Sequence, residues 1–574
     1  MKPILYFFIF LITTLVSHSS FSQEQALLAG SSFSKKLLKN EKHIYTISLE
    51  KGSYAELVVM QKGVDLIIDV TDPSGKKIGS FDSPNGSDGP EPVSVTASMK
   101  GEYKLYVYPL IDEPNLSDSE KVKWAEQNQG AYEINNVVVL SAKAYQQKLD
   151  KEKAENALIV SWLSENAHSL TTIAPNNSFE DLQWLKPVLN DVRFVGVGTQ
   201  TAGTHEFFQV RHRLFEFLVK EMGFTVFAMP ISYAAAVKVN DYVMKGGDMR
   251  SLAPYFGTLL NVEEVKDMIE WMRSYNQTQP MDKKIKFLGF DIGNFTQTAN
   301  AKQVQNYLEK VDPVLAKAKT GLLKFILEGE EFNEKLVDSC KKECNNLLLR
   351  MQMSKGNYIQ LSSQKEYEDA IQYVILIAQF FDANFMADND PLKPKRDWTS
   401  YYYMSNLNWL IQHENPNAKF LIFAHNIYIT KDPANEDSTS VPIFGGYLKK
   451  FYGNAYYAIG LYSSKMSFGA LEFIPQKNFD QLPRTQIEME NAKQNWLEWY
   501  LAQTKKEKFI INFRNSVHPD NVNVFLNRQL FSRAFFAIID KTQVENSYIP
   551  VSVGKSYDGL IFIDNSTPTR PLKD

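Results

Sequence analysis

From about Gln25 to Ala144 apolar and polar positions alternate with period two, in HIYTISLEKGSYAELVVMQ, DLIIDVTDPSGKKIGSF, GEYKLYVYPL and AYEINNVVVL. Lys-Gly, Pro-Ser-Gly and Asn-Gly turns break the pattern, so it predicts an antiparallel β-sandwich of about 120 residues. The charged stretch KAYQQKLDKEKAENALIVSWLSENA then reads as a helical linker. Beyond it the period changes. Arg193–Gly198 (RFVGVG), Thr225–Met229 (TVFAM), Ile285–Gly289 (IKFLG) and Phe420–Ala424 (FLIFA) are short, almost wholly apolar runs that alternate with amphipathic stretches. After the first run, Val210, Leu214, Phe217 and Leu218 recur at helical spacing until Gly223 ends the helix. Apolar strands between helices predict an α/β fold, a parallel or mixed sheet flanked by helices and buried on both faces. Asp312–Phe385 is rich in Lys, Glu and Leu and reads as a helical subdomain beside the sheet, and Met386–Arg396, with Pro391 and Pro394, as a loop.

In sheets of this kind ligands sit beyond the carboxyl ends of the strands. Thr199, Pro230, Asp291 and His425 each follow one of the four apolar runs and are expected to converge on one crevice.

Composition narrows the picture. With 62 basic against 66 acidic residues the net charge is −4, which gives no field favouring nucleic acid. The first 23 residues read as a signal peptide: Lys2, then the apolar run Ile4–Val16, then SHSSFSQ. The chain is therefore expected to be periplasmic or secreted. The run is too short to span a bilayer comfortably, and no later stretch is long enough. The expected divisions are residues 1–23, a sandwich at 24–145, a linker at 146–165 and the α/β domain at 166–574. Cys340 and Cys344, four apart, fall on one face of a helix and read as ordinary thiols.

Motif searches exclude more than they find. H-E-x-x-H, C-x-x-C, a Walker loop, G-x-G-x-x-G and, in the large region, G-x-S-x-G are all missing, so no metal or cofactor set is expected. Tyr401–Tyr403 and Tyr456-Tyr457 read as core and interface fillers. The sandwich carries Gly-x-Tyr at Gly52–Tyr54, Gly101–Tyr103 and Gly130–Tyr132, and in this it resembles the pre-peptidase C-terminal type of domain.

The large region has a more specific likeness. EDLQWLKPVLNDVRFVGVGTQTAGTHEFFQVRHRLFEFLVKEMGFTVFA, then AVKVNDYV, EEVKDMIEWMRSYNQ, KFLGFD, AKFLIFAHN and GGYLKKFYG resemble the erythromycin esterase family, in order, from roughly Asn166 to Ile563. The resemblance implies a metal-independent α/β hydrolase that opens a macrolactone ester. In the family's first block, G-E-A-T-H-G-T, the His is the proposed general base for water and the Glu supports it. Here that block is Gly198-Thr199-Gln200-Thr201-Ala202-Gly203-Thr204, so Thr199 stands for the Glu and Ala202 for the His. The strand-end L-E-A acid falls on Pro230, and W-D-T-E-E-V becomes Leu260-Asn261-Val262-Glu263-Glu264-Val265. An expected Arg-Asp pair appears as Ser400 and Tyr401, with Arg396-Asp397 slightly upstream. The H-N-G-H block reads His425-Asn426-Ile427-Tyr428, keeping one His.

Activating water at neutral pH needs a base, usually an imidazole oriented by a carboxylate, and its loss alone costs about 10²–10⁴ in rate. The expected reading is therefore an exported pseudoenzyme that binds a ligand or acts as a scaffold. Of the family frame, Arg211, Arg213, Asp291, His425 and Asn426 survive as binding candidates, with Arg211 expected to pair with Asp291 or another acid. The lost charges suggest a neutral, partly apolar ligand, or an envelope protein as partner. Two alternatives stand beside this reading. One is an active hydrolase using His205 or His425. At ideal helix geometry His205 lies about 60° around and roughly 4.5 Å along from Ala202, so rescue there needs a relocated substrate. A threonine nucleophile, Thr199 or Thr201, set against His425 is a variant of it. The other is an envelope structural protein working through the sandwich.

Overall fold

The computed structural model describes residues 24–572, apart from 39–40, 84–85, 111–128, 293–296, 319–333, 385–397, 432–441, 476, 478–480 and 515–516. The expected signal peptide, the Met386–Arg396 loop and the Arg396-Asp397 pair lie outside the described residues. The chain forms two compact units, Met1–Glu155 and Asn156–Asp574.

The first unit is a β-sandwich. One sheet runs in the order Gln25–Ala26, His43–Leu49, Gly101–Pro109, Leu66–Thr71, Lys77–Phe81, and the other Phe33–Leu37, Gly130–Leu140, Tyr54–Lys62, Asp88–Thr96. Apart from the short first strand, the pairings are antiparallel. Alternate residues point inward, so Ala55, Leu57 and Val59 meet Ile68, Val70, Leu105 and Val107 in one core. Phe33–Leu37 and Asp88–Thr96 escape sequence reading because both are edge strands: FSKKL is mostly polar, and DGPEPVSVT carries two prolines that only an edge tolerates. The charged stretch that follows is one helix, Ala142–Asn166, whose last turns bury Ile159, Trp162 and Leu163 in the core of the second unit.

The second unit is built on a largely parallel sheet in the order His168–Ser169, Lys508–Asn512, Gly559–Asn565, Tyr456–Glu472, Phe194–Val197, Phe420–Phe423, Val226–Ser232, Lys286–Asp291. Lys508–Asn512 runs antiparallel to its neighbours, while the strands from Gly559–Asn565 to Lys286–Asp291 are parallel. Successive side chains feed opposite cores, which is why the runs are apolar at every position. Phe194, Ala228, Phe420 and Ile422 go to one face, where the helices Gln297–Val311, Glu334–Met353, Gln364–Asn384 and Trp398–His413 pack. Val195, Val197, Phe227, Leu421 and Phe423 go to the other, against His205–Met222 and Glu263–Gln277. Cys340 and Cys344 are buried in the first of these cores. Among the described residues no helix is long and apolar enough to cross a membrane.

Candidate active site

Three adjacent strands bring the expected site positions to one edge of the sheet. Val197 lies opposite Phe423, and Ala228 opposite Ile422, so the chain leaves all three strands at the same level. Thr199 and His425 follow two of them directly. Pro230 does not lie past its strand as the sequence suggested: it sits inside Val226–Ser232, where the register slips between Met229 and Ser232. Asp291 ends the next strand, opposite Ser232. The turn is packed backbone against side chain. A Cβ on Gly198 would run into the Asn426 amide, and one on Gly203 into the Gly469 carbonyl. The mouth itself is not sealed, since Ala202, Pro230, His425 and Tyr428 are only half-buried.

The surviving polar groups there are spent on the protein's own backbone. The Thr199 hydroxyl donates to the Thr201 carbonyl, and the Thr201 and Thr204 hydroxyls bond each other at 2.5 Å. Neither threonine is hydrogen-bonded to His425. That imidazole caps the short helix Asn426–Ile429: Nδ1 accepts from the Ile427 N–H at 3.3 Å, and Nε2 faces the Gln200 carbonyl at 3.3 Å. Those partners fix the Nε2–H tautomer and leave no lone pair for water. Burial pushes the ring down to about 4, against contacts with the Gln200 and Phe535 backbone that act the other way.

Two other binding candidates are structural. Asn426 donates to the Leu461 carbonyl at 2.9 Å and accepts from the Leu461 N–H at 3.1 Å, stitching the turn to the neighbouring strand. Arg213 pairs with Asp181 at 2.6 Å and donates to the Thr172 carbonyl, tying the 172–181 segment to the first helix. Asn261 lies where its carbonyl accepts from the Leu572 N–H at 3.2 Å, beside the C-terminal segment. The Tyr428 ring meets Tyr403 with centroids 5.7 Å apart.

Arg211 corrects two expectations. Among the described residues it pairs with neither Asp291 nor any other acid. It is 1% exposed, its guanidinium lies 3.6 Å from the Phe423 ring centroid and 4.2 Å from that of Phe208, and Nε and Nη1 have no hydrogen-bond partner. Burial lowers its pKa to about 9. The site is therefore not charge-poor but holds one uncompensated cation.

His205 corrects a third. Ala202 lies in the turn before the helix, so helical geometry does not relate the two; Thr204 is the N-cap and His205 the first helical residue. The His205 Nδ1 meets Glu264 Oε1 at 2.5 Å, and Glu264 is 2% exposed at its side chain. Burial opposes ionisation of Glu264, but hydrogen bonds from His205 and the Arg570 N–H outweigh it and hold the carboxyl below its usual range. The same carboxylate accepts from Arg570 N and Nε at 3.2 Å, and the His205 N–H donates to the Thr567 carbonyl at 2.9 Å. This pair thus fastens the C-terminal segment.

Sequence reading missed Glu498. It is wholly buried behind the turn, where one oxygen accepts from Gln200, from the Ser532 hydroxyl at 2.8 Å and from the Arg533 N–H at 2.8 Å, while the other has no partner. Burial raises its pKa. The available signal was an acid inside the apolar run WLEWYL. Among the described residues no group of three or more His, Cys, Asp or Glu is arranged to hold a metal.

Comparison with known proteins agrees with this frame. Residues 219–566 match the erythromycin esterase family. That range opens inside the first helix, so the Gly198–Thr204 turn corresponds to the family's first block by its residues alone. Over 427 residues the chain is 21% identical to erythromycin esterase type II of Escherichia coli, covering 71% of this chain and 97% of that protein. A Bacillus cereus protein of solved structure is similar with a TM-score of 0.61 at 21% identity, over 73% of this chain and 99% of that one. An erythromycin esterase mutant in its open conformation gives 0.55 at 14% identity, over 71% and 99%. At these identities the two structures speak for the fold. With the match taking in more than half of the sequence, the chain belongs to the erythromycin esterase family.

Proposed function

We propose that this chain binds a small molecule at the carboxyl edge of its sheet without hydrolysing it. The reading is supported by one observation above all: the imidazole that remains at the mouth, His425, has both ring nitrogens committed to backbone groups and is held neutral. Around it stand Thr199, Ala202 and Pro230, none of which takes up a proton at neutral pH. A general base must reach the water it activates with a free lone pair, and His425 offers none. Export of the chain is part of the same proposal and rests on Lys2 and the Ile4–Val16 run.

A second reading is favoured by a specific feature. The His205–Glu264 pair has the orientation of a base held by a carboxylate, and Nε2 of His205 makes no hydrogen bond among the described residues. Against it stands the involvement of the pair in holding Arg570 and the Thr567 carbonyl. A panel of p-nitrophenyl esters, assayed with wild type, His205→Ala and His425→Ala, separates the two. The proposal expects no enzyme-dependent rate in any of the three. A saturable rate lost in His205→Ala establishes the second reading instead.

A further inference from the structure

The guanidinium of Arg211 lies at the level of the last residue of the Phe420–Phe423 strand, stacked on the Phe423 ring and on Phe208 one helical turn before it. Helical side chains lean toward the N-terminus of their helix, so this one reaches toward the Gly198–Thr204 turn, where ligands of such sheets sit. Its Nε and Nη1 carry three N–H groups and none has an acceptor. An uncompensated buried charge is strongly destabilising, and buried cations in folded proteins are almost always paired. The positions on the strands flanking Phe420–Phe423 hold Thr199, whose hydroxyl is already spent, and Pro230, which has nothing to accept with. No counter-charge for it is found among the described residues.

We propose that Arg211 anchors an oxyanion site, and that the ligand of this protein presents a carboxylate or phosphate group to it. The inference rests on the binding reading above and names the chemical class of the ligand. The two aromatic rings shield the cation from water, which strengthens its attraction for an anion and selects ligands with apolar surface next to the charged group. Ala202 and Pro230, at the same edge of the sheet, are half-buried.

The experiment is a thermal melt of the full chain titrated with sodium acetate and, separately, inorganic phosphate, against chloride at matched ionic strength. The site predicts a saturable rise in Tm for one or both oxyanions, and which of them acts tells carboxylate from phosphate. In Arg211→Met the saturable part is expected to vanish. Methionine replaces an unpaired buried charge with an apolar chain of similar length, so the variant is expected to fold with a Tm at or above that of wild type in chloride. Stabilisation by preferential exclusion does not saturate and persists in both proteins. A saturable shift that survives in Arg211→Met, or none in wild type, overturns the proposal. Should the variant not fold, wild-type crystals soaked separately in 4-bromobenzoate and in arsenate decide. Anomalous density of either beside the Arg211 guanidinium supports the site, and density of both only elsewhere overturns it. Failure here is distinct from failure of the binding reading, because ester turnover is measured separately: anion binding with turnover leaves the site standing and removes the reading, and neither binding nor turnover does the reverse.

Discussion

Half-buried His425 and fully buried Glu498 both sit beside Gln200, yet their protons are governed in opposite ways. Gln200 stands between them: its carbonyl faces the imidazole, while its side-chain amide donates to the carboxyl. No imidazole–carboxylate contact forms, and the carboxyl is left with one unpartnered oxygen in an apolar setting. Its pKa is raised by burial from an ordinary 4.5. A carboxyl that holds its proton more firmly when folded contributes stability fully below the unfolded pKa and loses it as pH rises through the raised, folded value. Glu498→Gln is therefore expected to remove a decline of Tm with rising pH, and at about pH 7 to melt at or above wild type. Melts across the pH range check this; a variant less stable by more than about 1 kcal/mol at neutral pH means that the charged form is needed. The residue types at the mouth could be read in advance, but their partners could not. Arg211 was visible as a cation and its isolation was not, because pairing depends on chain segments far away in sequence. His205 finds Glu264 59 residues on, and Gln200 finds Glu498 298 residues on.

Among the elements, the four short apolar strands were legible because their neighbours bury both faces. The long central strand Tyr456–Glu472 was not. Gly460, Ser463 and Ser464 interrupt its apolar pattern, yet all are buried, and the Ser463 hydroxyl is satisfied by the Lys465 and Asp564 carbonyls at 3.3 Å. A polar residue with a backbone partner reads like a turn in a sequence and like a strand in a sheet. The same strand fixes the turn that carries the family's first block. Gly203 accepts from the Gly469 and Thr569 N–H groups, both at 2.9 Å, with the two chains too close to admit a Cβ. Gly203→Ala is expected to cost about 2 kcal/mol or more, since backbone rather than a movable side chain must yield. Gly223→Ala, at a helix end with φ of 72° and open space around it, should cost only about 1 kcal/mol. Urea unfolding compares the two, and equal losses contradict the packing described for the turn.

For the whole molecule, the fold is similar to that of an erythromycin esterase of solved structure, and Thr199, Ala202 and Pro230 gather at one edge of its sheet. Asp558, just ahead of the Gly559–Asn565 strand, is held by Lys431 at 2.8 Å and Arg514 at 2.7 Å. Burial opposes its charge, but those two cations outweigh it and keep the carboxyl below its usual range. Asp558 is thus buried with its counter-charges, whereas Arg211 is buried without one among the described residues. The most direct test of this account is to incubate a 14-membered macrolactone with stoichiometric intact protein in the presence of EDTA and follow it by mass spectrometry. The account predicts the lactone recovered unchanged, with no product heavier by one water. Ring-opened acid accumulating in proportion to protein contradicts it.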